Sequence, residues 1–431
     1  MKPQKQKIVI ITYYWPPAGG PGVQRWLKFV KYLPEFNIEP IVFIPKNPSY
    51  PLVDYDLLKE VSNHATIIRF PVFEPYGLAS FYSKNKTKKI SSGIISNSKK
   101  QSFVEQILLW VRGNLFIPDA RVFWVKPSIK FLKKYIREHQ IDTIITTGPP
   151  HSVHLIGLGL KKQSNLNWIA DFRDPWTTIG YHKALKLSKK SALKHTNLEQ
   201  QVLTNCDQVV VTSPTTKSEF QQITSKPITV ITNGFDVEVV SKKSMDINFT
   251  IAHIGSLLSE RNPLILWESL AEIIIENPNF EAHFRLKLIG AVSKDVLETL
   301  QTYKLEKFIN HLGYVSHERA LQEQRCSQVL LLIEINSTET NCIIPGKLFE
   351  YIVSERPILA IGPENADFKN IIKETNTGCF FNYNEKQALK NQILFYFNQY
   401  QQGILKQNPT GIEQYSRKNL TKQLVHLITP K

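Results

Sequence analysis

The chain has 431 residues, more than one ordinary core accommodates and suited to two domains. Hydrophobic residues make up 42% and charged residues 21%, a globular balance, and runs such as Val329 to Ile333 are far too short to span a bilayer. The net charge of +16 suits a polyanionic partner, whether nucleic acid, an anionic membrane surface or a phosphorylated ligand.

The first apolar run begins at Ile8 and stops at Thr12, which reads as a strand rather than a signal peptide, so a cytoplasmic location is expected. Cys206, Cys326, Cys342 and Cys379 form no C-x-x-C pair and fit neither a zinc site nor a disulfide framework. Reduced thiols agree with that location.

The first strand, Ile8–Tyr14, ends in a Pro/Gly loop, and Val23–Leu33 follows with helical spacing. Further strands are expected at Ile41–Ile44, Thr66–Phe70, Thr143–Thr147, Trp168–Phe172, Gln208–Thr212 and Ile228–Ile231. Asn233-Gly234-Phe235-Asp236 reads as a turn. A second series comprises Thr250–Ile254, Phe284–Ile289, Ile309–Tyr314, Val329–Ile335, Pro357–Ile361 and Cys379–Tyr383, and a terminal helix is expected over Gly411–Ile428. Helical stretches between the strands make this the βαβ pattern of parallel sheets, an α/β fold. The expected division is 1–235, 248–405 and a terminal helix within 406–431. Residues 72–125 break the pattern: a basic, serine-rich Lys84–Lys100 precedes the apolar Phe103–Phe116.

Four clusters carry candidate chemistry. After the first strand stands Tyr13-Tyr14-Trp15-Pro16-Pro17-Ala18-Gly19-Gly20-Pro21-Gly22, where backbone N–H groups before a helix can approach an anion. Arg25 takes the place of the last glycine of a dinucleotide fingerprint, so that reading is set aside, and a plain tight turn is the alternative. Gly148-Pro149-Pro150-His151 and Asp171-Phe172-Arg173-Asp174 each follow a strand of the first half. They form either a charged lining to a cleft or a buried salt-bridge network. Gly255-Ser256 opens the loop that reaches Arg261, which can pair with a phosphate. Pro345-Gly346-Lys347 opens a helix whose Lys347, Glu350 and Tyr351 share a face at the ligand-binding edge of the sheet, with a surface Lys347–Glu350 pair as the alternative. Asp54-Tyr55-Asp56 has the look of a D-x-D metal site, but Asp before a helical stretch reads as a cap. No metal site is assigned.

In order and placement these segments resemble the family-four glycosyltransferases of the GT-B fold, especially bacterial members with a Y-Y-W-P-P-x-G-G-x-G opening. Asn233-Gly234-Phe235-Asp236 matches an N-G-x-D junction, Gly255 to Arg261 a G-R-L-x-x-x-K phosphate segment, and Pro345 to Tyr351 a P-x-K-x-x-E-Y helix. The resemblance implies two Rossmann-like domains with parallel sheets facing across a cleft, and a C-terminal helix returning to the first domain. It also implies an acceptor on the N-terminal domain and a UDP- or GDP-sugar on the C-terminal one.

Transfer with retention in cell-surface polysaccharide synthesis follows, without a required cofactor or metal. Expected partners are a glycan or lipid-linked acceptor and an anionic membrane surface, with no nucleic acid. Donor-binding candidates are Gly19, Gly20, Gly22, Gly255, Ser256, Arg261, Pro345, Gly346, Lys347 and Glu350. Candidates near the transferred sugar are Asp174, Asp171, Arg173 and His151. Glu350 matches the second, ribose-binding glutamate of an E-x7-E motif, while Cys342 stands at the first. Ser256 stands where the resemblance expects an arginine, and Arg173-Asp174 where it expects H-D. The alternatives are a non-catalytic nucleotide- or glycan-binding protein and a GT-B sugar-nucleotide epimerase.

Overall fold

The computed structural model describes residues 5–74, 103–183, 185–236 and 244–429. Two compact units emerge: residues 1–233 with 417–431, and residues 234–416.

In the first unit, β1 (Gln6–Thr12), β2 (Ile38–Pro45), β3 (Thr66–Phe70), β4 (Thr143–Gly148), β5 (Asn167–Phe172), β6 (Gln208–Val211) and β7 (Ile228–Val230) form a seven-stranded sheet. Its order is β3-β2-β1-β4-β5-β6-β7, and every pairing is parallel. In the second unit, β8 (Phe249–Ile254), β9 (Phe284–Ile289), β10 (Ile309–Gly313), β11 (Val329–Ile333), β12 (Ile358–Gly362) and β13 (Gly378–Asn382) form a six-stranded parallel sheet. Its order is β10-β9-β8-β11-β12-β13.

Both sheets carry apolar cores on both faces, which is why their central strands are nearly unbroken apolar runs. All residues of β4, β8, β11 and β12 are buried. The edge strand β10 is largely exposed. The helix Arg417–Ile428 places Leu420, Leu424 and Ile428 on one stripe, and they pack with Ile8, Val30 and Ile44 of the first unit. That helix starts later than Gly411 because Gly411 is left-handed (φ 63°) and opens a short 3-10 turn, Ile412–Tyr415. Tyr415 packs in the second unit, so that unit extends to Ser416 rather than ending at 405.

In each sheet the strand order reverses beside the first strand of its unit, β1 next to β4 and β8 next to β11. The loops leaving the carboxyl ends of those strands border a crevice, the ordinary ligand site of an open α/β sheet.

Candidate functional site

At the reversal point of the first unit, the loop after β1 turns through Gly20 (φ 106°) into the helix Pro21–Tyr32. The segment Leu52–Asp54 braces this loop: Gly19 donates to the Leu52 carbonyl (3.0 Å) and Asp54 to that of Pro17 (2.7 Å). Asp54 Oδ1 accepts the Asp56 amide (3.1 Å) and Asp56 pairs with Lys59, so both carboxylates act within their own turn. Tyr55, rather than an aspartate, occupies the cap position of the short helix Asp56–Glu60.

Asp171, at the end of β5, is buried and fully engaged. It accepts from Arg25 Nη2 (3.0 Å), Trp26 Nε1 (2.7 Å) and Thr147 Oγ1 (2.8 Å). The carboxylate thereby ties the helix Pro21–Tyr32 to β4 and β5. Arg25 also donates to the Thr232 carbonyl (2.6 Å). Arg173 donates from Nε to the Gly148 carbonyl (3.2 Å) and from Nη2 to the Pro149 carbonyl. Its guanidinium lies over Gly22, where an added Cβ would sit 1.5 Å from Nη1. The close approach that Gly22 permits is therefore taken by Arg173.

Asp174 differs from Asp171. It is half-buried, makes no hydrogen bond among the described residues, and burial raises its carboxyl above the usual range against the pull of Arg173. His151 is buried and stacks on Trp176 (centroids 4.8 Å, 4° between planes), and neither ring nitrogen has a partner. Burial, reinforced by the neighbouring histidines and Arg173, holds it well below the usual histidine range, so the ring is neutral. His154 contacts Thr146 through Nδ1 (2.9 Å), stacks on Phe172, and is pushed down to about 3 by burial. His195 accepts from Trp176 Nε1 (3.1 Å), and Glu199 accepts the Trp176 and Thr177 amides. The loop Trp176–Thr177 is thus fixed from beneath.

At the reversal point of the second unit, β8 is followed by Gly255 (φ 117°), whose amide donates to the Ile289 carbonyl (2.7 Å). Ser256 is exposed. Arg261 donates from Nε and Nη2 to Glu334 Oε1 (3.2 and 3.0 Å) and from Nη2 to Oε2 (3.1 Å). Glu334 itself is buried just past β11 and also accepts the Ile335 amide. The helix opened by Pro345 and Gly346 is short, Lys347–Ile352, and its six residues leave little for an end-dipole to contribute. Tyr351 anchors it by accepting the Ile254 amide (3.2 Å).

Lys347 and Glu350 form no ion pair. Lys347 Nζ lies 3.1 Å from His253 Nε2 and would be 3.0 Å from a Cβ at Gly255. Burial, then repulsion from Arg261, pushes the Lys347 ammonium down to about 7. Glu350 accepts from Gln324 Nε2 (2.8 Å) through one oxygen, Oε2. Cys342 is buried and donates to the Glu339 carbonyl (3.7 Å).

Residues 92–239 match the family model described as Glycosyltransferase Family 4. A sucrose-phosphate synthase from Thermosynechococcus elongatus is similar over 98% of each chain, with 15% identity and a TM-score of 0.62. The lipopolysaccharide outer core galactosyltransferase WaaB covers 98% of this chain and 99% of its own, at 15% identity and TM-score 0.58. An E. coli trehalose-6-phosphate protein bound with UDP-2-fluoro glucose covers 97% and 98%, at 11% identity and TM-score 0.60. The chain has the GT-B fold. No curated protein matches the sequence.

The GT-B frame places the candidates in two groups. Gly20, Gly22, His151, Asp171, Arg173 and Asp174 stand around the strand ends of the first unit, and Gly255, Arg261, Lys347 and Glu350 around those of the second. Asp171 serves the buried network, and Arg261 pairs with Glu334. Glu334 and His253 were absent from the sequence reading. Glu334 left a signal, a carboxylate directly after the apolar β11, whereas His253 is hidden inside β8.

Proposed function

We propose that this GT-B protein is a retaining glycosyltransferase of the hexosyltransferase type. It moves a sugar from a UDP- or GDP-sugar to a glycan or lipid-linked acceptor in cell-surface polysaccharide assembly. One observation carries the reading: the Lys347 ammonium stands at the β8–β11 reversal point beside Gly255 with no carboxylate within ion-pair distance among the described residues. A half-buried cation with no carboxylate paired to it favours an anionic ligand. Glu350, on the same short helix, offers a carboxylate for ribose hydroxyls. The family match and a sugar nucleotide in one similar structure support the same reading.

In this account the departing nucleoside diphosphate gains charge as the glycosidic bond breaks, and Lys347 stabilises it. The half-buried Asp174 carboxylate, engaged by no hydrogen bond among the described residues, supplies a hydrogen-bonding group for the acceptor or the transferred sugar, and the buried, neutral His151 ring stands near it. Asp171 and Arg173 position them by holding the β4 and β5 loops. A donor screen by thermal shift, then nucleoside diphosphate release with lipid-linked acceptors, tests the proposal. Binding without release would favour a non-catalytic protein, the reading that Cys342 at the first glutamate position supports. Turnover of donor alone would favour an epimerase.

Peripheral attachment to an anionic membrane belongs to the same proposal. Lys84–Lys100 lies outside the described residues. On the described helix Phe103–Asn114, Ile107 and Trp110 are exposed, as are the nearby Leu115, Phe123 and Phe73. Phe123 meets Phe73 (5.8 Å) and Phe116 (6.1 Å), and the helix Val122–Glu138 continues from it with exposed Lys126, Lys130, Lys133 and Lys134. Aromatic residues beside a lysine stripe suit an anionic interface, where each lysine contributes about 1 kcal/mol. Co-sedimentation with phosphatidylglycerol vesicles should be lost when Trp110 and Phe123 become serine. Equal binding by that variant, or none by wild type at low salt, contradicts the attachment.

A further inference from the structure

Lys347, half-buried, and His253, buried, are two bases at hydrogen-bonding distance. His253 lies inside β8, is buried, and meets Lys347 Nζ at 3.1 Å through Nε2. The pair is faced by Arg261 from the turn after β8, by Glu334 from the end of β11, and by Glu350 from the helix of Lys347 itself. Of these, Glu334 is already spent on Arg261, which holds both of its oxygens, and Glu350 accepts from Gln324. Among the described residues, the pair therefore has no carboxylate of its own within ion-pair distance.

We propose that the Lys347–His253 pair makes nucleotide binding proton-coupled: the diphosphate enters beside Nζ, and Lys347 takes up a proton from solvent to meet it. The balance is simple. A neutral amine plus one solvent proton gives an ammonium that donates to a phosphate oxygen, while His253 remains neutral and accepts. The inference rests on the donor reading above. It makes the affinity of this site depend on pH through the protein rather than through the ligand.

The sign follows from the free-state ammonium, which is pushed down to about 7 by burial and by Arg261. An adjacent diphosphate raises it. Affinity is therefore greatest in mildly acidic solution and falls as pH rises above 7, approaching tenfold per pH unit until the bound-state value is reached. At pH 8 the free lysine is about nine-tenths neutral, so uptake of about 0.9 proton per nucleotide is expected. Terminal phosphates, which ionise near pH 6, are already fully charged there.

Calorimetry of UDP and GDP binding at pH 8, in buffers of different ionisation enthalpy, measures that number. Wild-type protein should take up close to one proton. Lys347→Arg, whose charge is permanent, should bind with no uptake and with affinity independent of pH between 7 and 8.5. Lys347→Met should lose both uptake and at least tenfold in affinity. Nucleotide binding with no uptake by wild type overturns the inference and leaves the donor reading intact. Undiminished uptake in Lys347→Met also overturns it, by placing the proton elsewhere. Failure of wild type to bind either nucleotide defeats the donor reading and the inference together.

Discussion

Replacing Asp171 by alanine separates a structural role from a chemical one. The side chains of Asp171 and Arg25 are 1% and 2% exposed, and their 3.0 Å contact is a buried ion pair. Alanine would strand the Arg25 guanidinium without its carboxylate and remove the acceptor of Trp26 Nε1 and Thr147 Oγ1. Breaking such a pair from one side costs about 3–5 kcal/mol, because the remaining charge is left buried. Each orphaned donor adds about 1 kcal/mol or more. Against a total stability of about 5–15 kcal/mol, this is a large loss. Asparagine keeps one acceptor oxygen and should lose less. Urea unfolding followed by tryptophan fluorescence measures it, since Trp26, Trp168 and Trp176 are all buried in the first unit. A stability within about 1 kcal/mol of wild type, coupled to lost activity, would refute the structural assignment and return Asp171 to the chemistry.

Glu350→Ala should weaken UDP or GDP binding at least about tenfold, since a charge-assisted contact is worth roughly 1.5–3 kcal/mol, and unchanged calorimetric affinity would remove it from the site. The buried histidines should make the fold acid-sensitive. His154 is pushed down to about 3 and His182 to about 4, so their stabilising contribution is complete above pH 6.5 and lost as pH falls toward those values. Each contributes a slope of up to about 1.4 kcal/mol per pH unit, and His154→Gln should flatten the fall in urea midpoint between pH 6 and 4. Sugar transfer should persist in EDTA; activity abolished by the chelator and restored by magnesium or manganese would contradict the metal-independent mechanism.

The strands were legible because parallel sheets covered on both faces demand continuous apolar runs. The expected and observed ends of Thr66–Phe70 and Phe284–Ile289 coincide, and the other strands shift by a few residues. Partnerships were not legible. Asp171, Arg173 and Asp174 stand within four positions, yet the first binds Arg25 and Trp26 about 145 residues away, the second packs on Gly22, and the third is left without a hydrogen bond. Nothing local distinguishes them. Arg261 was visible as a cation beside a glycine loop, but its partner Glu334 is 73 residues distant. His253 occupies an interior strand position and meets Lys347 only through the β8–β11 neighbourhood, a product of topology rather than of spacing.

The most direct measurement is nucleoside diphosphate release by the purified protein, with UDP- and GDP-sugars and a lipid-linked or glycan acceptor. The account predicts release that requires acceptor and disappears in Lys347→Met. Donor binding with no release under any acceptor, or release undiminished in Lys347→Met, would contradict it.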